Sequence, residues 1–230
     1  MDPSSLPIVR IQGRVQNYDW GRNEACIVSE LCGDSAIRPP YAEIWYGTHS
    51  RLPSFQYGTK QPIDVKLPFL LKFLSIENPL SLQIHPDAET AERLFNEDKV
   101  HYVDPNAKPE ICIPLSRFHC FLGFMDQDLL EQQMDNNPPL RTALQYKHGD
   151  EARELLVRAH LLDTAVIEGY IAAMEDHIHH LTDAGVPLSN HQALFARLYK
   201  KYGIDVGLVA CFLLRYEIFE PYHAFFIVCC

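Results

Sequence analysis

Between Pro79 and Pro86, apolar Leu80, Leu82 and Ile84 alternate with polar Ser81, Gln83 and His85, a period of two that predicts a strand. Successive strand side chains point to opposite sides, so the polar three are expected on one face while the other face packs. After the turn-like Asp104-Pro105-Asn106-Ala107, Lys108, Glu110 and Cys112 share one face, and Ile111, Ile113 and Leu115 take the other. Further along, the period lengthens. Ala152, Leu155, Leu156 and Ala159 recur at helical spacing, as do Ile167, Tyr170, Met174, Ile178 and Leu181. Ser189 followed by Gln192 has the capping-box pattern ahead of Leu194, Phe195 and Leu198, and Gly203 is placed to end that third helix. From Val206 to Val228 aromatic and branched residues return, and strands are expected again.

The texture therefore divides the chain into a mainly β stretch over 1–125, punctuated by proline, asparagine and glycine, a helical insert over 126–204, and a β-like stretch over 205–230. With 230 residues and 47% hydrophobic content, a substantial core can form. A net charge of -10 argues against nucleic-acid or anionic-membrane partners, so any anion must be held by a few placed groups. Seven cysteines, an odd number with no C-x-x-C spacing, favour a reducing compartment over a disulfide framework. The start has no apolar leader behind a basic end. The apolar end is interrupted by Arg215, Glu217, Glu220 and Pro221, leaving no run near the roughly 20 residues a membrane span needs. A cytoplasmic protein is expected.

If the two alternating segments are neighbours, Glu110 meets Gln83 and His85. Two oxygens and one nitrogen form a donor set that zinc accepts at about 2.0 to 2.2 Å, with a position left for water or substrate. One carboxylate leaves the ion net positive, suited to an anionic intermediate. The same alternation also describes an ordinary strand with a solvated face, and Q-x-H alone does not separate the two. Lys72 stands alone in the apolar run L-P-F-L-L-K-F-L at 67–74. Desolvating an unpartnered ammonium costs several kcal/mol, so Lys72 either snorkels to water or faces an anion. His177, His179 and His180 cluster near a helix end, where a solvated face accounts for them better than a second metal site.

Four motifs, NYDWG at 17–21, AEIWYGTH at 42–49, NPLSLQIHPD at 78–87 and YVDPNAKPE at 102–110, together resemble type I mannose-6-phosphate isomerases, zinc enzymes of the cupin class. The resemblance covers residues 8 to about 125 closely and the insert more loosely. It implies a cupin jelly-roll β-sandwich with an all-helical inserted domain: an N-terminal cupin catalytic portion over 1–125, the insert over 126–204, and the start of a second cupin portion over 205–230. It further implies one zinc ion per chain on Gln83, His85 and Glu110. Lys72 and Lys108 are then placed near the reacting sugar phosphate, with Ser81 as a hydrogen-bond donor and Trp20 as a further substrate contact.

Two departures stand out. The family's N-H-K-P-E reads Asn106-Ala107-Lys108-Pro109-Glu110 here, with alanine where, by alternation, the side chain need not face the metal. Phe219 to Ile227 resembles only the beginning of the family segment that carries its fourth zinc-ligand histidine. His223 falls where the family has a glutamate, so the ligand role is not carried onto it. That histidine and the family's catalytic arginine are expected beyond Cys230, which makes a truncated chain with an incomplete second cupin portion the expectation. The resemblance implies interconversion of mannose 6-phosphate and fructose 6-phosphate, feeding GDP-mannose synthesis, by a monomer able to pair through exposed cupin edges. A low-activity form, a non-catalytic metal- or sugar-phosphate-binding remnant, and another metal-dependent cupin enzyme such as an oxygenase stay open beside it. No residue is assigned as the proton-transferring base.

Overall fold

The structure, a computed structural model, describes residues 8–33 and 36–229. Residues 1–7, where an absent leader was expected from the sequence, and Cys230 lie outside the described residues. The chain divides into two compact units, Met1–Ser81 and Leu82–Cys230.

In the first unit, β1 (Ile11–Gln12) pairs with β4 (Phe55–Gln56), and β2 (Arg14–Gln16), β3 (Glu43–Gly47) and β5 (Leu70–Leu74) form an antiparallel sheet with β3 in the middle. Val15, Ile44 and Phe73 stand in register across it, and with Tyr46 they pack against Val28 and Cys32 of α1 (Ile27–Cys32). Alternation then sends Glu43 and Trp45 to the opposite face, where Trp45 lies in register with Lys72. Gly21 of NYDWG bridges to Ile76, and a Cβ there would stand 2.7 Å from the Ala42 main chain, which explains why this position has no side chain.

In the second unit, α2 (Ala88–Glu97) is followed by β6 (Glu110–Cys112) and β7 (Phe118–Phe124). Then come α3 (Gln127–Asn136), α4 (Pro138–Ala143), α5 (Ala152–His160), α6 (Thr164–Asp183), α7 (Asn190–Tyr202) and the short α8 (Gly207–Ala210). The chain returns in β8 (Leu214–Phe219), which pairs with β7, and in β9 (Phe225–Ile227), which pairs with β6. The helices are thus spliced into a strand pair whose partners are Phe124 and Leu214 at the point of insertion. Their core centres on fully buried Leu130, Met134, Leu155, Met174, Phe195 and Phe212.

The three helices read from periodicity form as expected. Ser189 Oγ accepts from Gln192 N–H at 3.2 Å and the Gln192 side chain returns the bond at 2.9 Å, while Gly203 ends α7 at φ 71°. Three features differ from the sequence expectation. Residues 79–87 form no strand, and Leu82 and Ile84 are 52% and 75% exposed, so their apolar face does not pack. Alternation specifies sides only for a chain held in a ladder, and no ladder partner meets this segment among the described residues. Second, the stretch after Val206 begins as a buried helical turn, with Leu208, Val209, Phe212 and Leu213 all in the core; an unbroken apolar run signals burial without specifying strand. Third, in the β6–β9 pair the burial is inverted. Ile111 and Phe226, directly opposite each other, are 70% and 59% exposed, whereas Glu110 and Cys112 on the other face are half-buried.

A polar network ties α3, α4 and α7 together. Asn137 donates to the Gln133 carbonyl at 2.8 Å and accepts from Gln192 at 2.9 Å. His191, 8% exposed, stands 3.2 Å from the Leu214 carbonyl through Nε2 and 3.2 Å from the Gln133 amide nitrogen through Nδ1. A carbonyl only accepts, so Nε2 carries the proton and Nδ1 is the acceptor: both nitrogens are satisfied by the neutral ring. Burial pushes the His191 pKa below the usual histidine value, with the Leu214 hydrogen bond opposing. A histidine whose folded pKa is depressed contributes stability that is present above its unfolded pKa, near 6.5, and is lost as pH falls through the folded value. Urea unfolding between pH 7 and pH 5 should therefore show stability falling with pH, and His191→Gln should flatten that slope. An unchanged slope in the variant removes His191 from the explanation.

Candidate functional site

The second unit holds the candidate metal ligands. His85 is half-buried, and its Nδ1 lies 2.6 Å from the Lys108 carbonyl. Because that oxygen only accepts, Nδ1 carries the hydrogen, which leaves Nε2 with a lone pair, the form in which an imidazole binds a metal. Pro109 directs the chain from Lys108 into β6, whose first residue is Glu110. The Glu110 carboxylate, about one-third exposed, lies 3.3 Å from Lys108 Nζ and so already attracts a cation. Lys108 thus links His85 through its main chain to Glu110 through its side chain. Gln83, two residues before His85, is exposed and supplies an amide oxygen. Among the described residues no three His, Cys, Asp or Glu side chains gather as a metal cage; the candidate set has two of those types and the glutamine. One nitrogen and two oxygens still match what zinc accepts, and the tautomer of His85 fits that role.

Asp87, which a sequence reading could use either to orient His85 or to begin a turn, does the second. Its Oδ1 caps α2 by accepting from Thr90 N–H at 2.7 Å, a bond that also holds its pKa below the usual carboxylate value. His177 and His180 each donate one ring N–H to a main-chain carbonyl, of Asn136 and Asp176 at 2.9 and 2.6 Å, and among the described residues no metal-binding group of three His, Cys, Asp or Glu includes them.

The first unit holds Trp20, Lys72 and Ser81. Lys72 faces an anion: its Nζ is 3.6 Å from Glu43 Oε2 and 4.8 Å from the centre of the Trp45 ring. Sequence reasoning quoted Glu43 only within the AEIWYGTH motif and did not join it to Lys72. The signal was present in the alternation of Glu43 and Trp45, but the pairing also needed the register between β3 and β5. Trp20 is half-buried and stacked on Tyr18 at 5.7 Å, while its carbonyl accepts from the N–H groups of Glu77 and Asn78. Ser81 is exposed at the end of that unit.

The family model described as "Phosphomannose isomerase type I, catalytic domain" matches residues 8–65 and 56–127, just over half of the chain. The mannose-6-phosphate isomerase of Candida glabrata is 29% identical over 269 aligned positions, covering 95% of this chain and 63% of that protein. Its counterpart in Saccharomyces cerevisiae is 32% identical over 166 positions, covering 60% of this chain and 39% of that protein. A crystal structure of mannose 6-phosphate isomerase from Salmonella typhimurium, bound to substrate (f6p) and zinc, superposes with a TM-score of 0.78 at 21% identity over 95% of this chain and 63% of that one. The fold is therefore the cupin fold with its helical insert. The chain spans less than two-thirds of the length of these relatives.

Proposed function

Since the chain belongs to the type I phosphomannose isomerase family, we propose that it works as a zinc-dependent aldose–ketose isomerase interconverting mannose 6-phosphate and fructose 6-phosphate. The observation that carries this reading is His85, whose Nδ1–H is taken up by the Lys108 carbonyl so that Nε2 is left for a metal, while the Lys108 side chain lies 3.3 Å from the Glu110 carboxylate. Gln83, His85 and Glu110 would hold the ion. Zinc, when bound, supplies a Lewis acid that draws charge from a sugar oxygen.

The chain's own groups do the rest. Isomerisation moves a proton between adjacent carbons through an enediol, so sugar oxygens gain negative charge while the phosphate keeps its own. Lys72 and Lys108 are the cations for those charges. Ser81 donates a hydrogen bond to the sugar, and Trp20, braced by Tyr18, offers a flat apolar face to its ring. Glu110, as a ligand, is committed to the metal, and the base is left unassigned.

The working division in this reading is a catalytic portion over 1–125, an insert over 126–204, and a returning portion over 205–230; α3 to α7, lying between Gln127 and Tyr202, support it. A reducing cytoplasmic setting is supported by the buried thiols of Cys26, Cys32 and Cys211. No helix among the described residues is long and apolar enough to cross a membrane.

A coupled assay for fructose 6-phosphate formation from mannose 6-phosphate, run beside zinc analysis of the same preparation, tests the reading. Turnover that rises and falls with zinc content is the expected result. Zinc without turnover would instead favour a non-catalytic metal- or sugar-phosphate-binding role.

A further inference from the structure

Glu43 is a charged side chain in the wrong place for a solvated one. Its carboxylate is only 8% exposed, on the sheet face opposite α1, and a buried carboxylate is costly unless it is paired and hydrogen-bonded. Both conditions are met on one oxygen: the Trp45 indole N–H donates to Oε2, and Lys72 Nζ lies 3.6 Å from it. The strands dictate this. Glu43 and Trp45 are two apart on β3, hence on the same side, and Lys72 is the β5 residue in register with Trp45. The indole is itself held, with the His49 ring edge-on at 5.3 Å. Arg14, the other cation in register with Trp45, is drawn off over the Phe55 ring at 4.2 Å.

The depth of the pair is graded. Glu43 at 8% forms the floor, and Lys72 at 24% remains reachable. Buried ion pairs seldom stabilise a fold better than apolar residues of similar size, so stability alone is a weak reason for this arrangement. An ammonium has three donors; the carboxylate and the ring face occupy two directions and leave a third. We propose that Glu43 is a positioning residue, which holds the Lys72 ammonium against the Trp45 ring so that its remaining donor meets a sugar phosphate in one fixed place. This rests on the sugar-phosphate reading of Lys72 given above.

The test uses Glu43→Gln, which keeps an acceptor for the indole but loses the charge, and Glu43→Asp, which keeps the charge but retracts it. Lys72 is followed by competitive acylation and mass spectrometry of the 230-residue chain, with and without fructose 6-phosphate; Trp20 and Trp45 fluorescence checks the fold. The sugar phosphate should protect Lys72 in the unsubstituted chain. In Glu43→Gln, Lys72 should label faster than the other lysines, and protection should require several-fold more ligand, while Glu43→Asp recovers part of it. Where turnover is measurable, kcat should fall more than KM rises, by up to about 100-fold for a misplaced group. Equal labelling and equal protection in Glu43→Gln and the unsubstituted chain overturn the proposal. An unprotected Lys72 in the unsubstituted chain sinks the sugar-phosphate reading instead, and the labelling ratio then decides the link to Glu43 by itself.

Discussion

His85→Ala is expected to strip the chain of zinc. In the unsubstituted protein the imidazole offers Nε2 because Nδ1–H is spent on the Lys108 carbonyl, and nothing in alanine replaces that nitrogen. Gln83 and Glu110 would be left as two oxygen donors with one negative charge between them, too few for the four-coordinate geometry zinc favours. Losses among supporting contacts alone weaken metal sites roughly 10- to 100-fold, so losing a direct ligand should cost about 100-fold or more. Chelator competition and elemental analysis after dialysis measure it. Asp87→Ala is the matched control, since that carboxylate caps α2 and its loss should leave zinc in place. Zinc retained in full by His85→Ala would dismantle the proposed site.

A loss of comparable weight, in stability, is expected for Phe195→Ala. The ring is fully buried on α7, 5.9 Å from Tyr170 of α6 and 6.1 Å from Phe212 in the turn after α8, and it joins two helices and that turn in one cluster. Removing a buried phenylalanine costs about 3 to 5 kcal/mol, transfer and cavity together. Urea unfolding followed by circular dichroism at 222 nm reads the helical core directly, because α3 to α7 provide most of the helix. A shift below about 1 kcal/mol would mean that the core closes over the gap, contrary to what interiors packed at crystal density do.

What was legible in the sequence was local. Helices α5, α6 and α7 could be read because an apolar stripe at helical spacing is written in consecutive residues, and Ser189 with Gln192 marks a start by its own chemistry. The segment around Gln83 was misread as a strand because alternation describes side-chain direction, whereas a strand also needs a partner supplied from elsewhere. Leu208 to Leu213 failed differently: an unbroken apolar run reports burial and says little about backbone form. At the proposed site, residue types and spacing alone left an ordinary solvated face open, and it was the four family motifs that implied Gln83, His85 and Glu110 as ligands. The pairing of Lys72 with Glu43 depends on a register between strands 29 positions apart, and no window along the chain contains it. The contact of His85 with residue 108 is harder still, since the accepting atom belongs to no side chain.

That contact has a bearing on how such a site tolerates inherited change. Every amino acid brings the same carbonyl, so no substitution of Lys108 can delete the acceptor that sets the His85 ring; only an altered path of the backbone, as at Pro109, can move it. In the proposed site, drift at position 108 would thereby vary the charge offered to a sugar while the orientation of the His85 ring stays set, so selection could act on the two separately.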